Sequence, residues 1–189
     1  YAAWRDAVAP LMAEPRSSDA LRRRLAEVPA LCEELDHGLS AAGRLLCALL
    51  LLLPTLVLGT LISHSSPQNL TWASQFAEQF RAGILYPRWM PESFDGLGSP
   101  AFYFYPPLPF WIDALVSVVT ANALSASHRL AVSTTVILFL SGLAMHAWLL
   151  RVSGKRAAAL VGAIAYMAAP YHLFDTYTRG AFAETTAYA

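Results

Sequence analysis

Leu45-Leu-Cys-Ala-Leu-Leu-Leu-Leu-Leu-Pro54-Thr-Leu-Val-Leu-Gly-Thr-Leu-Ile-Ser63 carries no charged side chain. A run of that length matches the ~20 apolar residues that cross a bilayer core. It sets the class of the whole chain. Hydrophobic residues make up 56% of the 189 and charged residues 14%. A soluble domain carries about a quarter charged residues, and here the deficit sits in long charge-free runs. A signal peptide would lie nearer the N-terminus and end in small residues, and this segment does neither. Lysine plus arginine, 13, balances aspartate plus glutamate, 13, so bulk charge gives no reason to expect nucleic acid.

Arg16, Arg22, Arg23, Arg24 and Arg44 precede the run. By the positive-inside rule they hold residues 1–44 in the cytoplasm. Ser17-Ser18-Asp19 reads as a helix N-cap there, with Leu21, Leu25 and Val28 following at helical spacing and Pro29 dividing the stretch. Beyond the run, residues 64–106 form an exterior loop. It holds an amphipathic helix over about Gln68–Arg81, with Leu70, Trp72, Phe76 and Phe80 on an interfacial face. Dense proline, glycine and aromatic residues then exclude regular structure over 86–107. Three further apolar runs, about 107–124, 130–150 and 157–174, read as spans. The expected architecture is an all-α integral membrane domain over 45–189, with about four transmembrane helices and an irregular, partly helical loop between the first two.

That topology contains a conflict. Strict alternation puts Arg151, Lys155 and Arg156 outside and 175–184 inside, against the charge rule. Either the rule is overridden or one apolar run does not fully cross. Residue 1 is tyrosine, and the chain stops at Ala189 without a polar tail, which reads as part of a longer protein.

Several residues carry potential chemistry. Arg88, flanked by Trp89, is either an anion clamp or an interfacial arginine beside an aromatic belt. Asp113 sits early in the second run, where a carboxylate needs a partner or a cavity. Asp175 and Arg179 are four apart, and Glu184 falls near the same face. A carboxylate pair with an arginine supplies a base and a phosphate contact, or merely an ion pair at a helix end. His64 opens the loop and is placed for proton transfer or for capping. His146 and His172 lie in apolar runs, where histidine ligates a tetrapyrrole or bonds a neighbouring helix. Cys32 and Cys47 suggest neither disulfide nor metal motif. Asn69-Leu70-Thr71 fits the glycosylation sequon.

One string of motifs is more specific. Leu85-Tyr-Pro-Arg88-Trp89 leads to Gly96-Leu-Gly-Ser-Pro100, Phe102-Tyr-Phe-Tyr-Pro-Pro-Leu108 and Pro170-Tyr171. Asp175-x-Tyr177-x-Arg179-Gly-Ala-x-Ala-Glu184 closes the string. Over about 45–189 this resembles the bacterial multi-span membrane proteins called 6-pyruvoyl-tetrahydropterin synthase-related, which are similar to C-type membrane glycosyltransferases. The resemblance implies sugar transfer from a polyprenyl-phosphate carrier at the exterior face of the bacterial inner membrane. Asp175, Glu184 and His64 would be catalytic. Arg88, Trp89, Tyr105 and Arg179 would hold phosphate, sugar and prenyl chain. The resemblance also implies an acid just after the first span that would bind a divalent metal or activate the acceptor. The sequence departs from that pattern: where an aspartate and a histidine are expected stand Ser65 and Asn69, and the first acid downstream is Glu78. Neither serine nor asparagine replaces a carboxylate as base or strong metal ligand. The second expectation is therefore a non-catalytic subunit of a larger membrane complex, binding partner helices or a pigment through His146 or His172. The spans are too few and too apolar to line a transport pore alone.

Overall fold

The computed structural model describes residues 40–60 and 62–188, and all regular structure in them is helical. The expected helices over 1–39 and Cys32 lie outside the described residues. α1 (Ser40–Leu51) and α2 (Leu53–Leu58) share the first apolar run. Pro54 stands at the start of α2, where its missing N–H is not needed, and divides the run. α3 (Ser66–Arg81) follows, then a loop with the short α4 (Ala101–Phe104), and α5 (Leu108–Val119). α6 (Ala126–Ser153) is capped at one end by the Ser125 hydroxyl, which accepts from the His128 N–H, and stopped at the other by left-handed Gly154. α7 (Arg156–Met167) breaks at Ala168–Ala169, α8 (Pro170–Phe174) then runs into a π-helical turn, Asp175–Arg179, and α9 (Phe182–Ala187) ends the described chain.

Among the described residues, two helical stretches are long and apolar enough to cross a membrane, Ala126–Ser153 and Arg156–Arg179, the second interrupted before Pro170. At 1.5 Å per residue, α6 is about 42 Å long, against a hydrocarbon core of ~30 Å. α6 and α7 run antiparallel across the Gly154 turn, with Gly142 against Met167 and Gly162 against Leu149. α1 and α2 lie beside them: Ala48, Leu52, Leu138 and Met167 form one buried cluster. The Tyr177 hydroxyl donates to the Leu51 carbonyl at 2.6 Å.

These contacts fix the ends. The Ser127 carbonyl accepts from the Thr60 N–H at 3.2 Å and the Thr60 hydroxyl at 2.9 Å. The His64 and Ser65 N–H groups donate to the carbonyls of Thr178 and Arg179. The end of α2, the start of α6 and the end of the π turn therefore share one end of the bundle. Arg151, Lys155 and Arg156 mark the opposite end.

α3 and α5 build a cap over the first end. Trp72 and Phe76 of α3, Phe102 of the loop and Phe110 of α5 pack together, most pairs edge to face and Phe76–Phe110 tilted, the closest pair 4.8 Å between ring centroids. Leu70 and Phe80 pack against this cluster, so the α3 face expected to meet a membrane interface is buried against protein. The covering surface is α5, whose docking no local pattern in α3 announces. α5 itself is 12 residues. At about 18 Å it is shorter than a bilayer core is thick. Ala121 and Asn122, both left-handed, end it, and Arg81 binds the Ser117 and Asn122 side chains behind it. A buried ion pair ties α5 to α6: Arg129 Nε donates to Asp113 Oδ2 at 2.8 Å. Asp113 thus has the partner its position demanded.

The irregular loop holds its shape by backbone bonds. Met90 and Ser99 exchange a pair at 2.8 and 3.0 Å, and Gly98 lies under the Trp89 ring, where a Cβ would collide.

Candidate functional site

The π turn and α9 bring the three predicted charged residues into one network. Arg179 Nη1 donates to Asp175 Oδ1 at 2.6 Å and to Glu184 Oε2 at 2.5 Å, and Nη2 donates to Glu184 Oε1 at 2.9 Å. The return of the chain depends on Gly180 (φ +64), because a side chain there would be left-handed and would strike Ser63. The Asp175 side chain is wholly buried and also accepts from the Tyr188 hydroxyl at 3.3 Å. Arg179 and Glu184 are open to solvent, their side chains 39% and 45% exposed.

Two carboxylates on one guanidinium leave the network one negative charge in excess. Hydrogen bonds from Arg179 hold the Glu184 carboxyl below its ordinary value of 4.5. Glu184 is therefore ionised at neutral pH. Its contribution to the fold is present above that ordinary value and is lost as pH falls through the lowered one. The Tyr188 hydroxyl is pushed up, first by its hydrogen bond with Tyr171. Tyr105 is pushed up by burial and then by the field of Glu184, so this predicted binding residue lies within electrostatic reach of the network.

Tyr171 and Tyr188 were not legible as site residues, although a signal existed. Tyr171 stands four before Asp175, and Tyr188 four after Glu184. Arg179 Nη1 approaches the Tyr171 hydroxyl at 3.4 Å, and the two tyrosine rings lie 5.8 Å apart.

The His64 turn sits against this network. His64 is exposed, with Nδ1 3.4 Å from the Ser65 hydroxyl. Asn69 donates through Nδ2 to the Gly180 carbonyl at 2.7 Å and is 6% exposed. The Asn69 amide nitrogen is thus buried and engaged by the turn at Gly180. Below the turn is a cavity of about 40 Å³ bordered by Thr60, Thr134, Thr176, Thr185, Gly180 and Phe182. The hydroxyls of these threonines all donate to backbone carbonyls, so methyl groups dominate the lining.

Arg88 and Trp89 have partners of their own. The Arg88 guanidinium lies over Tyr86 at 4.7 Å and Tyr103 at 5.5 Å, and the Trp89 carbonyl accepts from Gln79. Among the described residues no hydrogen bond or ion pair links either to the Arg179 network. His146 is buried, and His172 is enclosed between the rings of Tyr166 and Tyr188 at 4.6 and 5.0 Å. Those rings occupy space a tetrapyrrole on His172 would need. No three His, Cys, Asp or Glu side chains converge among the described residues. The two carboxylates that do meet are held by Arg179, a donor set that does not fit a divalent metal.

Compared with protein-family models, curated proteins and solved structures, the chain matches none, and its own residues carry the functional reading.

Proposed function

We propose that this chain is a glycosyltransferase-like protein of the bacterial inner membrane that handles a polyprenyl-phosphate sugar at the exterior face. Three crossings, α1–α2, α6 and α7 through the π turn, put the N-terminus and Arg151, Lys155 and Arg156 in the cytoplasm together. The cap and the Arg179 network then lie outside. Four crossings would put those cations outside. The observation that carries the reading is the meeting of Asp175, Arg179 and Glu184 against the His64 turn, at the end of the bundle where a lipid-linked sugar would be exposed.

In such a transfer an acceptor oxygen forms a bond to the anomeric carbon, whose bond to the phosphate oxygen breaks. The polyprenyl phosphate departs with that electron pair, and the acceptor proton passes to a carboxylate. Glu184, exposed, is the base on this reading, and His64, on the turn bonded to the backbone of Thr178 and Arg179, is the candidate relay. Asp175, dry and engaged, is a positioning residue that aims Arg179 at the phosphate. Arg88, set between two tyrosines, serves as a separate contact for the anionic carrier.

A second reading, an accessory subunit without catalysis, draws support from Ser65 and Asn69. The first gives its backbone N–H and the second its side chain to the 179–180 backbone, where the resemblance implies an acid and a histidine. Native mass spectrometry of the protein extracted from its own membrane in mild detergent separates the two. A retained polyprenyl-phosphate lipid on a partner-free protein is expected. A stable multi-subunit assembly without that lipid would sink the transferase reading.

A further inference from the structure

We propose that Glu184 occupies the place of a phosphate group on Arg179, and that a phosphate ester binds by displacing it. The inference rests on Arg179 being the phosphate contact. Glu184 accepts from Nη1 and Nη2 with both of its oxygens, at 2.5 and 2.9 Å. Two neighbouring N–H donors meeting two oxygens is the fork that guanidinium also offers to phosphate. Glu184 thus holds the fork as a two-oxygen anion from inside the molecule.

The two carboxylates on Arg179 are not equally easy to release. Asp175 is wholly buried and shares its second oxygen with Tyr188, so freeing it would strand a charge away from water. The pair between Glu184 and Arg179 is open to solvent on both sides. Exposed ion pairs are held weakly and are screened by salt. An incoming phosphate therefore takes the outer fork, while Asp175 keeps the guanidinium aimed. Rotation of the Glu184 side chain is enough for the exchange, and no backbone movement is required. Once released, Glu184 loses the hydrogen bonds that hold its carboxyl down and becomes a better proton acceptor beside the newly bound group. Phosphate binding and activation of the base become one event.

The test is calorimetric binding to the full chain in detergent, with inorganic phosphate and farnesyl phosphate as separate probes. Removing the competitor in Glu184→Gln is expected to tighten binding roughly three- to tenfold, whereas Arg179→Gln abolishes it. Arg179→Lys keeps the charge but loses the fork, and weakens binding without emptying the site. A gain with either probe supports the exchange, and a gain confined to farnesyl phosphate assigns the site to a lipid headgroup. Unchanged or weaker binding of both probes to Glu184→Gln overturns it. This outcome is separable from failure of the transferase reading. Tightening in a protein that retains no polyprenyl phosphate would keep the exchange and retire the transferase, and a retained lipid without tightening would do the reverse.

Discussion

Asp113→Ala is expected to destabilise the protein by about 3–5 kcal/mol, the usual cost of stranding one member of a buried ion pair. Asp113 has no exposed surface, and the Arg129 side chain is 5% exposed. Arg129 makes its bond through Nε, and its Nη2 already lacks a partner. Without the carboxylate, a full charge stays in a dry site between α5 and α6. Arg129→Met strands the carboxylate instead and is expected to cost a similar amount. The double variant Asp113→Leu with Arg129→Met recovers most of the loss, because two apolar side chains leave nothing unpaired. Thermal melting in detergent reads all three. A loss for Asp113→Ala no larger than about 0.5 kcal/mol, as for an exposed residue, would mean that α5 is not docked on α6 through this pair.

Phe110→Ala is expected to cost about 3–5 kcal/mol, the range for emptying an aromatic site in a packed core. Phe110 is fully buried and meets Phe102 at 4.8 Å, Phe182 at 5.5 Å and Tyr105 at 6.1 Å. The loss propagates in a specific direction. Phe182 opens α9, which carries Glu184, and Tyr105 lies in the field of that carboxylate. The variant is therefore expected to lower both the melting temperature and the affinity for farnesyl phosphate. Leu115→Ala, on the exposed face of the same helix, should leave both nearly unchanged. Equal losses from the two variants would contradict the packing described for the cap.

The fold was legible where a single period decides. Charge-free runs announced the long helices, and α6 needed only its caps, Ser125 and Gly154, to extend from the expected 130–150 to 126–153. Within the run over 107–124 the helix covers only 108–119, because the apolar stretch continues across a helix stop. Thr120-Ala121-Asn122 ends α5, and Asn122 is a residue type that tolerates the left-handed backbone found there. On the proposed reading, with α5 in the cap, three crossings satisfy both alternation and the charge rule. The face of α3 was legible as apolar but not as buried, since its partner lies more than thirty positions away in the chain.

The candidate site was legible in part for a similar reason. Helical spacing joined Asp175 to Arg179, but the reach of Glu184 depends on a π turn and on Gly180, and neither produces a sequence period. Ser65 and Asn69 were visible as departures from a family pattern. Their role, bonding the backbone of Arg179 and Gly180, exists only in three dimensions. Arg88 and Trp89 carried the right chemistry, but their partners in the structure, Tyr86, Tyr103 and Gln79, follow from the loop's path, which has no sequence period.

Everything proposed for Arg179 depends on which side of the membrane it faces. The direct measurement is cysteine labelling of intact spheroplasts with a membrane-impermeant maleimide, after Cys32 and Cys47 are replaced by serine. Lys155→Cys lies at the basic end, and Ala187→Cys lies in α9 beyond Glu184; both positions are exposed. Three crossings with a cytoplasmic N-terminus predict that Ala187→Cys is labelled and that Lys155→Cys is protected until the membrane is opened. Labelling of Lys155→Cys with protection of Ala187→Cys would place the Arg179 network in the cytoplasm and contradict the account.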